Sequence, residues 1–222
     1  MAWSDVINQG NSNQSEEVKY VKFPIGITKL RILDEQPFSR WTHWIPQANN
    51  GKGMSVNCLG KGCPVCKAMA EDKKANRKKR YNASKSHALN VFVHETKVNG
   101  QVTQVKEVQI LDKGNGVFGG LYAIFEQMGD LRNYDVTVTR VGENLGDIKY
   151  TILPVYPPSE LSQQDKQIAS IKYDVEEVKK SFTAEEIETL LSGGTIQKEN
   201  TESSNTSENT IPNVDFSEPF QQ

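Results

Sequence analysis

One histidine and all three cysteines of the chain stand at spacings suited to metal binding. Fourteen residues separate His43 from Cys58, four separate Cys58 from Cys63, and two separate Cys63 from Cys66. The two-residue spacing lets two thiolates reach one ion from a tight turn. Three cysteines cannot all pair as disulfides, and clustered thiols in a reducing compartment favour a metal. The pattern therefore predicts a Cys3His zinc site.

A zinc ion takes four nitrogen or sulfur ligands in a tetrahedron. The cysteines supply three, and His43 is the preferred fourth because it lies on the preceding predicted strand; His87 and His94 are the competitors. Four protein ligands leave no open coordination position, so we expect one structural Zn²⁺ and no catalytic metal. The alternative is three reduced, buried cysteines without a metal.

The charges of the chain are distributed unevenly, although the formal net charge is only -2. Between Cys58 and Lys85, nine basic residues stand against two acidic ones. From Ile196 to Gln222, Lys198 faces five acidic residues. A basic middle and an acidic end predict a body that binds a polyanion, followed by an acidic tail.

Hydrophobic periodicity divides the chain into four parts. We expect a flexible arm (1–17), a β-rich core (18–157) that includes a zinc subdomain (about 40–85), a helical appendix (158–194) and a disordered acidic tail (195–222). The low hydrophobic fraction of 36% agrees with an unpacked tail.

Alternating apolar residues predict short strands in the core, and helical spacing predicts one helix before the last strand pair. Val18–Phe23 alternates, strands are expected at Thr28–Leu33, Phe38–Ile45, Ala88–Glu95, Val102–Leu111, Tyr134–Val141 and Asp147–Leu153, and the helix is expected at Gly116–Met128. Further helices are expected at Lys67–Arg80, Ser159–Ser170 and Asp174–Leu191. Asn99-Gly100 predicts a hairpin turn, Gly129 a helix C-cap, and Thr183 with Glu186 a capping box. This order fits a mainly β protein with helices, a small Greek-key barrel of the OB type, with a plain β-sandwich as the alternative.

The run from Leu30-Arg31-Ile32-Leu33 through Pro37-Phe38, His43 and Gly51-Lys52 to the three cysteines resembles the zinc-containing single-stranded DNA-binding proteins of T4-like bacteriophages. The later order of strands and helix is similar, so the resemblance covers about residues 20–157. It implies an OB barrel with a zinc-bearing subdomain and a histidine as fourth ligand. This chain departs from the family in having a shorter gap between Cys58 and Cys63. That family also uses a basic N-terminal arm for cooperative self-association, and this chain has none, so self-association on DNA is left open.

The resemblance implies a protein that coats and protects single-stranded DNA during phage replication, recombination and repair. Such binding needs cations for phosphates and aromatic faces for bases. The candidate phosphate contacts are Lys29, Arg31, Arg40, Lys52, Lys61, Lys67, Lys73, Arg77, Arg80, Arg132 and Arg140. The candidate stacking residues are Trp41, Trp44, Tyr81, Phe92, Tyr122 and Tyr134.

The end of the acidic tail is similar to the acidic, phenylalanine-bearing tip of bacterial single-stranded DNA-binding proteins. Here Phe216 and Phe220 would be apolar anchors, and Asp215 and Glu218 would meet basic grooves on replication or recombination proteins. The alternative is a tail that only promotes solubility.

No catalytic constellation is evident in the sequence, so we expect a binding protein. The rival hypotheses are a zinc-containing nuclease or other nucleic-acid-processing enzyme, with Asp112, Asp130 or Asp147 holding a catalytic metal, and a zinc-bearing regulator that reads duplex DNA. No apolar run suggests a membrane span and Met1–Asp5 shows no signal peptide, so a cytosolic location, the host cytosol if viral, is expected.

Overall fold

The computed structural model describes residues 17–144 and 146–196 and shows a mainly β protein with one antiparallel sheet. Its strands are β1 (Gly26–Ile32), β2 (Phe38–Ile45), β3 (Met54–Asn57), β4 (Ala83–Val98), β5 (Gln101–Gly114), β6 (Asp135–Val141) and β7 (Lys149–Pro154). Its helices are α1 (Ala48–Gly51), α2 (Pro64–Lys74), α3 (Asn115–Met128), α4 (Gln163–Ala169), α5 (Val175–Val178) and α6 (Ala184–Leu191), with a 3₁₀ turn at Leu131–Asn133. Among these helices, none has the length and apolar character needed to cross a membrane.

The long strand β4 organises the sheet. β5 pairs along one edge of β4, whereas β2 pairs with the first half of the other edge and β1 with its second half. β6 then pairs with β1, β7 with β6, and β3 with β2. One sheet therefore joins the histidine-bearing strand β2 to the rest of the molecule.

The main core lies on the face of the sheet that α3 covers. Alternate residues of β1, β4, β5 and β6 point into it, and α3 adds four apolar side chains at helical spacing. Within the described residues β5 and β7 do not pair, so the sheet is not closed into a barrel. α3 instead packs between these strands, and Gly120 allows the close approach of Ile152 on β7.

Several turn and cap predictions are confirmed. Asn99 and Gly100 adopt positive φ angles of 49° and 84° in the β4–β5 hairpin, as an Asn-Gly turn requires. Gly129, with φ 79°, ends α3. Thr183 and Glu186 form the predicted capping box at the start of α6.

Two helix predictions are wrong, and the alternating segment Val18–Phe23 makes only an isolated bridge with β5. The basic helix ends at Lys74, where Asn76 takes a positive φ of 52°. The segment predicted as one helix at 174–191 contains two short helices, α5 and α6.

Residues 158–194, which we call the C-terminal strap, run along the molecule from one end to the other. α4 and α5 cover the face of β4 and β5 that points away from the main core, where Phe92 and Ile110 are buried against strap residues such as Ala169 and Val175. α6 then reaches the region around the cysteines. The predicted appendix therefore packs on the sheet through α4 and α5 and on the region around the cysteines through α6.

Candidate metal centre and nucleic-acid interface

The four predicted metal ligands come together. His43 lies on β2, Cys58 directly follows β3, Cys63 is the N-cap of α2, and Cys66 lies in its first turn. Their ligand atoms all lie within 4.8 Å of one another. The predicted Cys3His cluster, with His43 as the fourth member, is therefore confirmed as a group that could hold a metal ion.

Local sequence explains how the chain turns three cysteines toward one point. Pro64 occupies the first position of α2, where its fixed φ suits a helix start. Gly60 and Gly62 have φ angles of 68° and 93°, which only glycine adopts readily. The backbone N–H of Cys63 donates to the Gly60 carbonyl at 3.2 Å, which closes the turn.

The distances fit a tetrahedral site. The sulfur atoms of Cys58 and Cys66 lie 3.6 Å apart, close to the ~3.8 Å expected across a tetrahedron with Zn–S bonds of ~2.3 Å. His43 Nε2 lies 3.4 Å from the Cys66 sulfur. His43 Nδ1 lies 3.2 Å from the Asn82 carbonyl oxygen, to which it donates, and this leaves Nε2 as a lone-pair donor toward the sulfurs.

The electrostatics of the cluster favour a cation. Burial, the hydrogen bond with Cys58 and the nearby thiols raise the pKa of the Cys66 thiol to about 12. Burial also acts to raise the pKa of Cys63, but hydrogen bonds from backbone groups of Cys66, Leu59 and Val65 outweigh it and lower that pKa. A bound divalent cation would supply the positive charge that lets all three sulfurs ionise, as coordinated thiols do.

The other two histidines are used elsewhere. His87 contacts Ser39 Oγ through Nδ1 at 2.7 Å and Asn115 Oδ1 through Nε2 at 2.9 Å. His94 Nε2 lies 2.9 Å from an oxygen of the buried Asp135. Neither can reach the cysteines in this arrangement, so the choice among the three histidines falls on His43.

The cluster sits in what we call the metal lobe, residues 40–85. Its core contains Ile45, Ala48, Val56, Cys63, Val65 and Tyr81, together with Ile187 and Leu190 from α6 of the strap. Backbone N–H groups of Asn49 and Asn50 donate to the carbonyls of Gly194 and Gly193, which fixes the strap's end to the lobe. No sequence signal predicts this contact, because α6 has the ordinary pattern of any amphipathic helix.

The predicted DNA contacts separate into three groups. Arg31, Tyr81, Phe92 and Tyr134 are buried, at 4% exposure or less, so the prediction of direct contact is wrong for them. Arg31 is held inside by Asp135 and by two backbone carbonyls, and the aromatic rings belong to the cores. None of the four presents a surface to a ligand.

A second group of cations is exposed to varying degrees but already engaged. Lys29 pairs with Asp135, Arg40 with Asp112, and Arg132 with Asp130, while Arg140 donates to the Phe23 carbonyl. The buried carboxylate of Asp72 holds Arg80 through two hydrogen bonds and Arg77 at 3.3 Å. Asp72 therefore engages two members of the basic run, and the Arg80 contact holds the pKa of Asp72 below its usual range.

The third group is exposed and makes no ion pair within the described residues. It contains Lys52, Lys61, Lys67 and Lys73 from the predicted set, together with Lys74, Lys78, Lys79 and Lys85, which the basic count included but the site prediction did not. Trp41, Trp44 and Tyr122 are also exposed, at 55%, 54% and 62%. These lysines all lie in the metal lobe or at its border, which is the most cationic surface that the structure describes.

The two tryptophans point to opposite faces of β2, as their spacing predicts. Trp41 is paired across the sheet with Lys85, and on the same face His43 points into the metal cluster. Trp44 lies over Gly53, where a side chain would collide with its ring. Tyr122 stacks against Phe125 on α3 with ring centroids 6.5 Å apart.

The aspartates of the nuclease hypothesis do not meet. Asp112 is bonded to Arg40, Lys179 and Ser86, while Asp130 binds Arg132. Across residues 17–144 and 146–196, no second group of three or more histidine, cysteine or carboxylate side chains is close enough to share a metal. The predicted arm and the tail residues Asp215, Phe216, Glu218 and Phe220 lie outside the described residues.

Comparison with known proteins finds no protein-family model and no curated protein that matches this chain. Arguments about its function therefore rest on its own residues and their arrangement.

Proposed function

We propose that this chain is a single-stranded DNA-binding protein whose binding face is the metal lobe and the adjoining sheet. The observation that carries the proposal is the face shared by Trp41 and Lys85. On it an exposed indole stands beside an unpaired ammonium group, and seven more unpaired lysines lie between residues 52 and 79. Stacking surfaces beside cations are what a single strand requires, and each stacked base contributes about 1–3 kcal/mol.

The metal we propose is one structural Zn²⁺ held by His43, Cys58, Cys63 and Cys66. Support comes from the ligand types, the tetrahedral spacing and the four protein donors, which leave no open position. When bound, the ion would fix β2 to the start of α2. Its role would be to hold Trp41 and the lysines of α2 in one rigid arrangement, with no chemistry at the metal.

We further propose that β1, β4, β5, β6 and β7 form an incompletely closed variant of the OB barrel. Their order in the sheet is β5-β4-β1-β6-β7, with a helix between the third and fourth of these strands in the chain. A barrel of that type would add a contact between β5 and β7. Here α3 fills that side, and the strap covers the outer face of β4 and β5.

This packing excludes single-stranded DNA from the outer face of β4 and β5. Phe92 and Ile110 are buried there beneath the strap, so no base can stack on them while the strap is in place. The exposed aromatic residues on the side of the metal lobe are the alternative surface for base stacking. The role we infer is coating of transient single strands during phage replication, recombination and repair, with the acidic tail recruiting replication or recombination proteins.

The test is a titration of intrinsic tryptophan fluorescence with oligo-dT and with duplex DNA of equal length. We expect quenching and tight binding with oligo-dT and a much weaker response to the duplex. Trp41→Ala should lose most of the quenching. Because Trp3 still fluoresces in this variant, Trp41→Phe is the necessary companion: it also removes the indole signal of residue 41 but keeps an aromatic face. A response to duplex alone would reject the proposal, and magnesium-dependent cleavage of the strand would support a nuclease instead.

A further inference from the structure

Two cations meet around Phe23 at the rim of the main core, away from the metal. The ammonium nitrogen of Lys113, at the end of β5, lies 5.7 Å from the centroid of the Phe23 ring. Arg140 on β6 donates from Nη1 to the Phe23 carbonyl at 2.8 Å. The ring of Tyr150 packs edge-on against Phe23 with centroids 5.6 Å apart. One aromatic residue thus holds both cations in place.

No carboxylate in the described residues pairs with either cation. Asp112 is the chain neighbour of Lys113, but adjacent strand residues point to opposite faces, and its carboxylate is already bonded to Arg40 and Lys179. Arg140 Nε is buried and has no hydrogen-bond partner within residues 17–144 and 146–196. Positive charge and an unmet N–H donor therefore coincide at this rim.

The half-buried position of Lys113 has an electrostatic consequence. Burial lowers its pKa and the charge of Arg140 lowers it further, whereas Asp112 acts in the opposite direction. An anion between the two cations would relieve their repulsion and satisfy the arginine donor. Arginine and lysine together are the usual partners of phosphate oxygens.

The register of the sheet places Lys113 on the proposed binding face. Lys113 is paired with His87, and His87 with Ser39, while Lys85 is paired with Trp41 one row along. Directly paired residues share a face of the sheet, so Lys113 lies on the same face as Trp41. Lys113 and Trp41 are separated by two strand spacings across the sheet and two residues along it, which corresponds to about 12 Å between their positions.

The geometry points to a phosphate-binding seat formed by Lys113 and Arg140 at the rim of the main core. We propose that it takes a phosphate of the same strand that stacks on Trp41, which rests on the function proposed above. A free polyphosphate offers the same oxyanion chemistry and is the other source of ligand. His87, whose ring packs 5.0 Å from that of Phe118, lies between Ser39 and Lys113 in the register of the sheet.

The first test uses tripolyphosphate as a simple probe. A ligand that binds only the folded state raises the melting temperature. We expect tripolyphosphate to raise the melting temperature of the full chain and of Lys180→Gln, a control that makes the same chemical change on an exposed strap residue. Lys113→Gln should lose most of that increase. Arg140→Lys, which keeps the charge but removes the Nε donor, should lose part of it.

The second test measures the salt dependence of oligo-dT binding. Loss of one phosphate contact lowers the slope of log K against log salt by about 0.7 for single strands. We expect that decrease for Lys113→Gln and none for Lys180→Gln.

If Lys113→Gln loses the tripolyphosphate response but keeps the wild-type salt slope, the result supports a phosphate-binding seat whose ligand is free polyphosphate. If the wild-type chain ignores oligo-dT but Lys113→Gln still abolishes the tripolyphosphate response, the seat stands and the proposed function fails. Equal responses of Lys113→Gln and wild type to both probes would overturn the seat.

Discussion

The main core and the metal lobe are built in different ways. Among the described residues, the main core buries fifteen apolar side chains drawn from the sheet, α3 and the segment before β1. The lobe core buries eight, and two of these, Ile187 and Leu190, come from α6 at the far end of the strap. A small core needs a further cross-link, such as a metal, to reach useful stability. We therefore expect the lobe to depend on a metal bound by its cluster and on α6 of the strap, whereas the main core contains neither.

This difference bears on function because the proposed binding face spans both regions. Trp41 and the unpaired lysines lie in the lobe, and Lys113 and Arg140 lie at the rim of the main core. A perturbation confined to the lobe should disturb the aromatic part of the face and leave the sheet folded. The following predictions use that separation.

Removal of the metal should have the largest effect. A structural zinc ion in small domains binds with roughly 10–16 kcal/mol, more than a core of this size can replace. We expect chelation to abolish amide-exchange protection in β3, α2 and α6, while β4 and β5 stay protected, as measured by hydrogen exchange with mass spectrometry. Zinc should restore the pattern at one ion per chain. Unchanged protection of the lobe after complete metal removal would mean that the cluster has no structural role.

Shortening a buried side chain of α6 should have the second-largest effect. Leu190→Ala removes a fully buried side chain from the lobe core and should lower the free energy of unfolding by about 2–5 kcal/mol. Leu153→Ala makes the same change at an exposed position on β7 and should cost less than about 0.5 kcal/mol. Denaturant titration of both variants gives the comparison, and equal costs would show that α6 is not part of the lobe core.

A pH effect should follow from Asp135 in the sheet. Burial acts to raise its pKa, but the hydrogen bond from His94 and the charges of Arg31 and Lys29 lower it from 3.8 to about 2. Because the folded pKa lies below the unfolded one, the stabilisation is complete above about pH 4 and is lost as the pH falls toward 2. After allowance for solvent screening it amounts to about 1–2 kcal/mol.

Two variants identify the group responsible. Asp135→Asn should reduce the acid-dependent loss between about pH 4 and 2 by the share of this residue, because no carboxyl remains at this position to be protonated. Glu176→Gln, at an exposed position on α5, should keep the wild-type profile. Thermal unfolding across this range measures both, and identical profiles for Asp135→Asn and wild type would contradict the assignment.

The acidic tail should give the smallest effect. Deletion of 197–222 removes five acidic residues and one lysine, and it keeps Ile196, which packs on the lobe core. Oligo-dT binding should become a few-fold tighter at low salt, because negative charge that competes with phosphate is gone, and the gain should vanish at high salt. Fluorescence anisotropy at both salt concentrations tests this; a tail that only promotes solubility would leave the affinity unchanged.

The sequence predicted the parts of the molecule that are local. The Cys-x4-Cys-x2-Cys spacing and the Asn99-Gly100 turn carry their geometry within a few residues, and these predictions were confirmed. The assignment of His43 also succeeded, because it lies on β2, whose neighbour β3 leads directly to Cys58.

The long-range pairings could not be predicted in this way. Arg31 and Asp135 are 104 residues apart, so an arginine on an alternating strand gave no sign that it would be buried. Phe92 lies at a strand position that alternation predicts to face solvent, but the strap covers that face. Lys113 was overlooked because a single lysine at the end of a strand is ordinary until its partners are known. Such contacts depend on how the strands and the strap assemble.

The central claim is that the metal lobe forms the binding face for single-stranded DNA. Its most direct test is the affinity for a labelled oligo-dT, measured by anisotropy at fixed salt for the zinc-loaded and the chelated protein, with folding of the sheet verified in both. The account predicts a large loss of affinity on chelation and recovery when zinc is added back. Equal affinity with and without the metal, in a protein whose lobe has lost its protection, would contradict it.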